Sequence, residues 1–179
     1  ETPERKNTAL PQAQVAACLH GWESVLEEHG GRFHAADAAF VAEHINMLNE
    51  RFYPDVFVLV HGDFHCDNLL LDAHGEVIVC DWQNAHIGPP AGDIAFFLSR
   101  LSADGIFLDT DELIEKYCSA AKEEGVPAER ESIRCGMTLS DLNTAFLFWH
   151  QYLHGNPPER VGGIFEKMVL DARWLLERR

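Results

Sequence analysis

The sequence predicts an α+β fold that is mainly helical, with one small island of strands near its middle. Three observations carry that prediction. Apolar residues recur at helical spacing up to Phe52 and again from Gly92 onward. Short apolar runs rich in β-branched residues fill the stretch between, and polar clusters sit at the ends of those runs.

In chain order, Val15, Leu19, Trp22 and Leu26 mark a first helix that stops at Gly30-Gly31. Val41, Ile45, Leu48 and Phe52 mark a second, ending before Pro54. Val56-Phe57-Val58-Leu59-Val60 then reads as a short buried strand. A strand pair follows over residues 68–71 and 76–80, joined by Asp72-Ala73-His74-Gly75, with the Asp and Gly that hairpin turns favour. Beyond Gly92, one helical stripe is Ile94, Phe97, Leu98 and Leu101. A second, Leu113, Tyr117 and Ala120, lies behind Asp109-Thr110-Asp111-Glu112, whose acidic side chains suit a helix start. Leu139, Leu142, Phe146, Trp149 and Leu153 form a third, stopped near Gly155-Asn156-Pro157-Pro158, and Ile164, Met168, Ala172 and Leu175 the last.

The 179 residues, 46% apolar with eleven Phe and four Trp, suffice for one hydrophobic core and do not fit a disordered chain. No apolar run approaches bilayer length, so a membrane partner is not expected. The net charge of −15 argues against nucleic acid, which needs clustered Lys and Arg. It suits a soluble surface or a small cationic substrate. Cys18, Cys66, Cys80, Cys118 and Cys135 are odd in number and contain no Cys-x-x-Cys pair, which points to reduced thiols in a cytoplasmic protein.

The strand island holds the chemistry. The run at 56–60 leads into His61-Gly62-Asp63-Phe64-His65-Cys66-Asp67-Asn68, and Val77-Ile78-Val79-Cys80 leads into Asp81. An ionised carboxylate at the end of a buried strand is costly unless something pairs with it. Two polar clusters fed by apolar strands therefore suggest that Asp63, Asn68 and Asp81 are aimed at one point. Two carboxylates and an amide oxygen are hard ligands of the kind that suit Mg²⁺ beside substrate phosphates. Singly, each has a plainer reading: Asp63 as a turn carboxylate, Asn68 as a turn residue, Asp81 as a strand-end cap. Asp93, ahead of an apolar stripe, reads as a helix cap. His61 and His65 fit a supporting or core role better than a metal site. Trp82 either packs or, with Gln83 and His65, lines the substrate side.

Together these segments resemble the aminoglycoside phosphotransferases and choline kinases, a branch of the protein-kinase-like fold. The loop His-Gly-Asp-x-His-x-x-Asn of that family is matched at residues 61–68. Its Ile-Asp-Trp strand end is matched by Cys80-Asp81-Trp82, and its Gly-Asp/Pro-x-x-x-Asp-Leu-Ala element by Gly88-Pro89-Pro90-Ala91-Gly92-Asp93-Ile94-Ala95. The resemblance implies the C-terminal lobe of a kinase-like fold that transfers the γ-phosphoryl group of ATP to a small-molecule alcohol. It implies Asp63 as the catalytic residue, Asn68 and Asp81 as holders of Mg²⁺ and the ATP phosphates, His61 as a brace, and Asp93 as a tie to loop amides.

Such kinases also have an N-terminal lobe with a phosphate-covering loop and a strand lysine. Ahead of His61 there is no Gly-x-Gly-x-x-Gly run and no Val/Ala-x-Lys strand, and Lys6 is the only lysine. The expectation is a single domain over residues 1–179, a fragment whose missing N-terminal lobe is its partner and whose isolated activity is weak or nil. The polar opening residues 1–7 are expected to be frayed, or to mark a cut in a longer chain. Two alternatives stand beside this reading. One is a non-catalytic binding module of kinase ancestry. The other is a metal-dependent phosphoester hydrolase using Asp63, His65, Asp67, Asn68 and Asp81, though the chain lacks the Asp-x-His and Gly-Asn-His runs of that class.

Overall fold

The computed structural model describes residues 9–178; the polar opening segment with Lys6 lies outside them. The described residues are mainly helical, with six α-helices and four short strands, an α+β arrangement. They divide into two compact units.

The first unit comprises the described residues up to Tyr53 together with those from Asp141. It contains α1 (Gln12–Glu27), α2 (Ala35–Arg51), the end of α5 (Arg130–Phe148) and α6 (Pro158–Leu176). Gly30 and Gly31, at φ of 58° and 82°, end the first helical segment in left-handed backbone that only glycine adopts freely. Pro158 opens α6 at a position where its missing N–H costs nothing. Trp22 is fully buried, its ring 5.6 Å from Phe165, and its indole N–H donates to the Phe146 carbonyl at 3.1 Å. Asn49 and Asn143 exchange amide hydrogen bonds of 3.2 and 2.8 Å, so this polar pair is satisfied inside the unit. The buried seam of α1 runs through Val15, Cys18, Trp22, Val25 and Leu26, while the expected Leu19 is only half-buried. The third stripe also differs from expectation. Its helix starts as early as Arg130, then tightens into a 3₁₀ turn at Trp149–Gln151 ahead of buried Leu153.

The second unit, Pro54–Ser140, carries every residue of the strand island. Strand β1 (Val58–Val60) pairs antiparallel with β4 (His86–Gly88), and β2 (Leu69–Leu71) pairs antiparallel with β3 (Val77–Val79), as two separate ribbons. The hairpin turn forms as expected, because Asp72 Oδ1 accepts the N–H groups of His74 and Glu76 at 2.8 and 2.9 Å and Gly75 takes φ 84°. The run at 56–60 is not a fully buried strand: Val60 is buried but Leu59 is 62% exposed. A two-stranded ribbon covers one face of each strand and leaves the other open. Its partner β4 carried no sequence signal, since His86-Ile87-Gly88 is too short to show a period.

Helices α3 (Pro90–Ala103) and α4 (Thr110–Glu123) and the start of α5 enclose Ala91, Ala95, Ile114, Ile133 and Met137. Helix α3 begins at Pro90, ahead of Gly92, and buries Ala91 and Ala95 where the larger Ile94, Phe97 and Leu98 were expected. Close approach explains this: a Cβ on Gly136 of α5 would lie 2.8 Å from the Ala91 methyl, so only small residues fit at the crossing. Asp109 caps α4 by accepting from the N–H groups of Asp111 and Glu112 at 2.9 and 3.1 Å. That helix buries Ile114 and Ala121, one position on from the expected Leu113 and Ala120. Among the described residues no helix is long and apolar enough to cross a membrane.

Candidate functional site

Where β1 ends, the chain turns out of the ribbon into the loop 61–68. His61 is 2% exposed, and its backbone N–H donates to Asp93 Oδ2 at 2.6 Å. The next N–H, of Gly62, donates to Asp93 Oδ1 at 2.9 Å. One carboxylate thus holds two successive amides. Gly62 sits at φ 79°, and a Cβ there would come within 2.5 Å of the Asn84 carbonyl oxygen, so both backbone and space exclude a side chain. Asp93 is the fourth residue of α3, where the cap position is Pro89. It therefore does not cap its own helix, because its carboxylate is spent on the loop.

The His61 ring links two segments. Nδ1 accepts the Asp63 N–H at 3.3 Å, which puts the ring proton on Nε2, and Nε2 donates to the Cys80 carbonyl at 2.8 Å. Trp82 packs 4.9 Å from the ring and Phe64 6.0 Å. Cys80 also donates its N–H to the Asn68 carbonyl at 2.9 Å, continuing the β2–β3 ladder by one bond. The strand end that carries Asp81 is consequently tied to both ends of the loop that carries Asp63 and Asn68. This tie joins the two polar clusters although the strands that feed them, β1 and β3, belong to different ribbons.

Asn68 closes a 3₁₀ turn, Cys66–Asn68, and is 8% exposed. Its amide nitrogen donates to the Asp63 carbonyl at 2.8 Å and lies 3.3 Å from His65 Nε2. With Nδ2 committed on that side, Oδ1 is the end left to accept. Asp81 adopts φ 64°, ψ 53°, the one positive-φ non-glycine among the described residues, and stands exposed at the turn Trp82–Asn84. Aspartate tolerates this left-handed region better than most residues, at a cost of roughly 1–2 kcal/mol. Gln83 Nε2 approaches Asp81 Oδ2 at 3.4 Å. Trp82 donates its indole N–H to Val79 at 2.8 Å while remaining 47% exposed, so it both packs and presents a face.

His65 lies between two carboxylates, with Nε2 3.6 Å from Asp63 Oδ1 and Nδ1 3.4 Å from Asp67 Oδ2. The Asp67 approach is a charge contact without hydrogen-bond alignment, which leaves Nδ1 buried and formally unpartnered. Arg100 of α3 reaches Asp67 Oδ2 at 3.7 Å. Neither Arg100 nor the Cys80 backbone junction was visible in the sequence. Arg100 is an ordinary exposed helix residue by pattern, and a main-chain junction has no residue-type signature. Among the described residues, no group of three His, Cys, Asp or Glu is assembled to hold a metal by itself.

A family model described as Phosphotransferase enzyme family (APH) matches residues 3–132, more than half of the chain. No curated protein and no solved structure matches it.

Proposed function

Since the chain belongs to the phosphotransferase enzyme family, we propose that it moves the γ-phosphoryl group of ATP onto the hydroxyl of a small molecule, using the loop 61–68 and the strand end at Asp81. On this reading residues 54–140 hold the catalytic heart of a kinase-like C-terminal lobe. Asp63 orients the acceptor hydroxyl and takes its proton late, as the new P–O bond forms and the bond to the ADP oxygen breaks. Asn68 and Asp81 hold Mg²⁺ against the phosphates.

The donor set fits that ion. Asn68 keeps Oδ1 free by committing its nitrogen to Asp63 and His65, and Asp81 offers an exposed carboxylate. One amide oxygen and one carboxylate leave the remaining positions to phosphate and water, the arrangement magnesium favours. Bound there, it would neutralise charge on the phosphate oxygens. His61 and Asp93 keep the loop in place, and Trp82, Gln83 and the open side of Asp63 face the acceptor. The net charge of −15 favours a cationic acceptor, such as an amino-alcohol or amino-sugar. Five cysteines, none of them in a disulfide, favour a reducing, cytoplasmic setting. A lysine-bearing nucleotide clamp, contributed from outside these residues, completes the proposed enzyme.

One observation carries the reading: Cys80 bonds Asn68 through its N–H and His61 through its carbonyl, which pins the residue before Asp81 into the loop of Asp63. The test is ATP turnover by the whole polypeptide against amino-alcohols and aminoglycosides, with Asp63→Asn beside it. The substitution is expected to reduce transfer by roughly 10²–10⁴-fold while leaving the fold intact. Transfer that survives Asp63→Asn undiminished removes the proposal. Release of phosphate to water at the same rate with and without acceptor turns it into a hydrolase.

A further inference from the structure

We infer that His65 is a positioning residue that sets the direction of the Asn68 amide by accepting its N–H at Nε2. The inference rests on the proposed function and goes further, because it assigns to His65 a task within the cation site instead of a place on the substrate side.

An asparagine offers an oxygen or an NH₂ at nearly the same place, and only the oxygen serves a cation. What decides between them is the set of partners on the other side. Asn68 Nδ2 has two: the Asp63 carbonyl at 2.8 Å and His65 Nε2 at 3.3 Å. Both must accept. A carbonyl always does, whereas an imidazole nitrogen accepts only when its proton sits on the other nitrogen. The Asn68 N–H aimed at Nε2 favours that arrangement. Asp67 Oδ2, 3.4 Å from Nδ1 though without hydrogen-bond alignment, lies slightly nearer the ring than Asp63 Oδ1 at 3.6 Å from Nε2, and Arg100 Nη2 lies 3.7 Å from the same Asp67 oxygen. The His65 side chain is only 16% exposed and stands edge-on to Phe96 at 6.0 Å, which restrains ring rotation.

The same tautomer has a second consequence. Nε2 is 3.6 Å from Asp63 Oδ1. Without a proton on Nε2 the ring has nothing to donate to that carboxylate, and Asp63 stays available to a substrate hydroxyl. His61 provides the internal contrast, since Nε2 donates to Cys80 and Nδ1 accepts from Asp63. Two histidines of one loop are thus assigned opposite tautomers, each by its own hydrogen-bond partners.

The test has a spectroscopic arm and a binding arm. In the whole polypeptide labelled with ¹⁵N-histidine at neutral pH, long-range ¹H–¹⁵N spectra should show His65 protonated on Nδ1 alone and His61 on Nε2 alone. A His65 proton on Nε2, or on both nitrogens, overturns the inference. In the binding arm, Mn²⁺ affinity in the presence of a non-hydrolysable ATP analogue is measured for His65→Leu and His65→Gln. Leu, which cannot accept, should weaken Mn²⁺ binding about 10-fold, the usual scale for loss of a partner behind a metal ligand. Gln, whose carbonyl reaches the same place, should recover most of it. Unchanged affinity in the Leu variant, or Gln no better than Leu, overturns the assignment even where Asn68→Ala abolishes binding and so upholds the cation site. If Asn68→Ala also leaves Mn²⁺ binding unchanged, the proposed function fails and His65 falls with it. Should the Leu variant not fold, the spectra of the native chain still decide the matter.

Discussion

The two units of this protein are held together by different physics. In the helical unit, Trp22, Phe146, Ile45, Leu48, Leu142, Leu153, Met168 and Leu175 are fully buried, whereas among comparably buried large side chains the site-bearing unit contributes only Ile114. The ribbons of the site-bearing unit leave Leu59, Leu70, Leu71, Val77, Ile78 and Ile87 about half exposed or more. What orders its loop is a short set of polar bonds: Asp93 to two amides, His61 to Cys80, Asn68 to Asp63. Apolar burial is spread over many atoms and tolerates small errors at any one of them. A polar junction is sparse, so a single missing acceptor leaves buried donors unpaired.

The largest effect that could break this contrast is expected at Asp93. Replacement by Ala removes the acceptor of two successive N–H groups. At about 1.5–3 kcal/mol for each charge-assisted bond, roughly 3–6 kcal/mol of loop order is at stake. Hydrogen exchange should show the amides of His61 and Gly62 losing protection while those of α1, α2 and α6 keep theirs. Equal loss across both units would mean that they are not separately stabilised.

Trp22→Ala is the matching test in the helical unit. It empties a fully buried site and strands the Phe146 carbonyl that the indole N–H serves. A loss of about 3–5 kcal/mol is expected in urea unfolding. Transfer activity per folded molecule should not change, because no group of the loop 61–68 is removed. A fall in kcat of the folded protein would show that Trp22 acts on the site as well as on stability.

The contrast also explains how much could be read in the sequence. Helical spacing located each long helix and the residues Trp22, Ile45, Leu48, Leu142 and Leu175, because burial of one face leaves a periodic trace. Some misses were shifts of one position, as at Leu19 and Ala120, and in α3 the close crossing at Gly136 buries the small Ala91 and Ala95 instead of the larger apolar residues. In the strand island, residue type and spacing identified the loop, and Asp72 and Gly75 identified the turn. The roles of the backbone were illegible. Nothing in the residue type of Cys80 says that its N–H and carbonyl join two segments, and Asp93 by residue type reads as a helix cap, its tie to the loop amides being implied by the family resemblance alone. Pattern reveals side chains that share a face, while main-chain junctions become visible only in the fold.

A smaller effect should follow at Asp109, the cap of α4. Its Oδ1 accepts from Asp111 and Glu112, and replacement by Ala should cost about 1 kcal/mol in chemical denaturation. This is an ordinary helix end inside the site-bearing unit. A much larger cost would mean that the unit depends on α4 more than its compact cluster around Ile114 suggests.

The smallest effect depends on pH and belongs to the helical unit. His150 packs against Gly21, where any side chain would collide with the ring, and it lies edge-on to Trp22 at 6.4 Å. Its Nε2 is buried without a partner. Burial pushes the imidazole below the ordinary histidine range; a ring hydrogen bond to the Leu147 backbone carbonyl opposes the shift, and the nearby His154 adds to it. The sign follows from linkage. The unfolded chain takes up the proton near the ordinary value of about 6.5, whereas the folded chain resists it until the pH is lower. Stability is therefore fully present above about pH 6.5 and declines as the pH falls toward the depressed folded value, with a slope of at most about 1.4 kcal/mol per pH unit. Urea midpoints of the native chain and of His150→Gln, compared from about pH 7 down to about 5.5 and so above the usual carboxylate range, should differ in slope, with the Gln variant flatter. Parallel curves would assign the loss to another group, and the helical unit would then carry no titrating side chain at its Trp22 core.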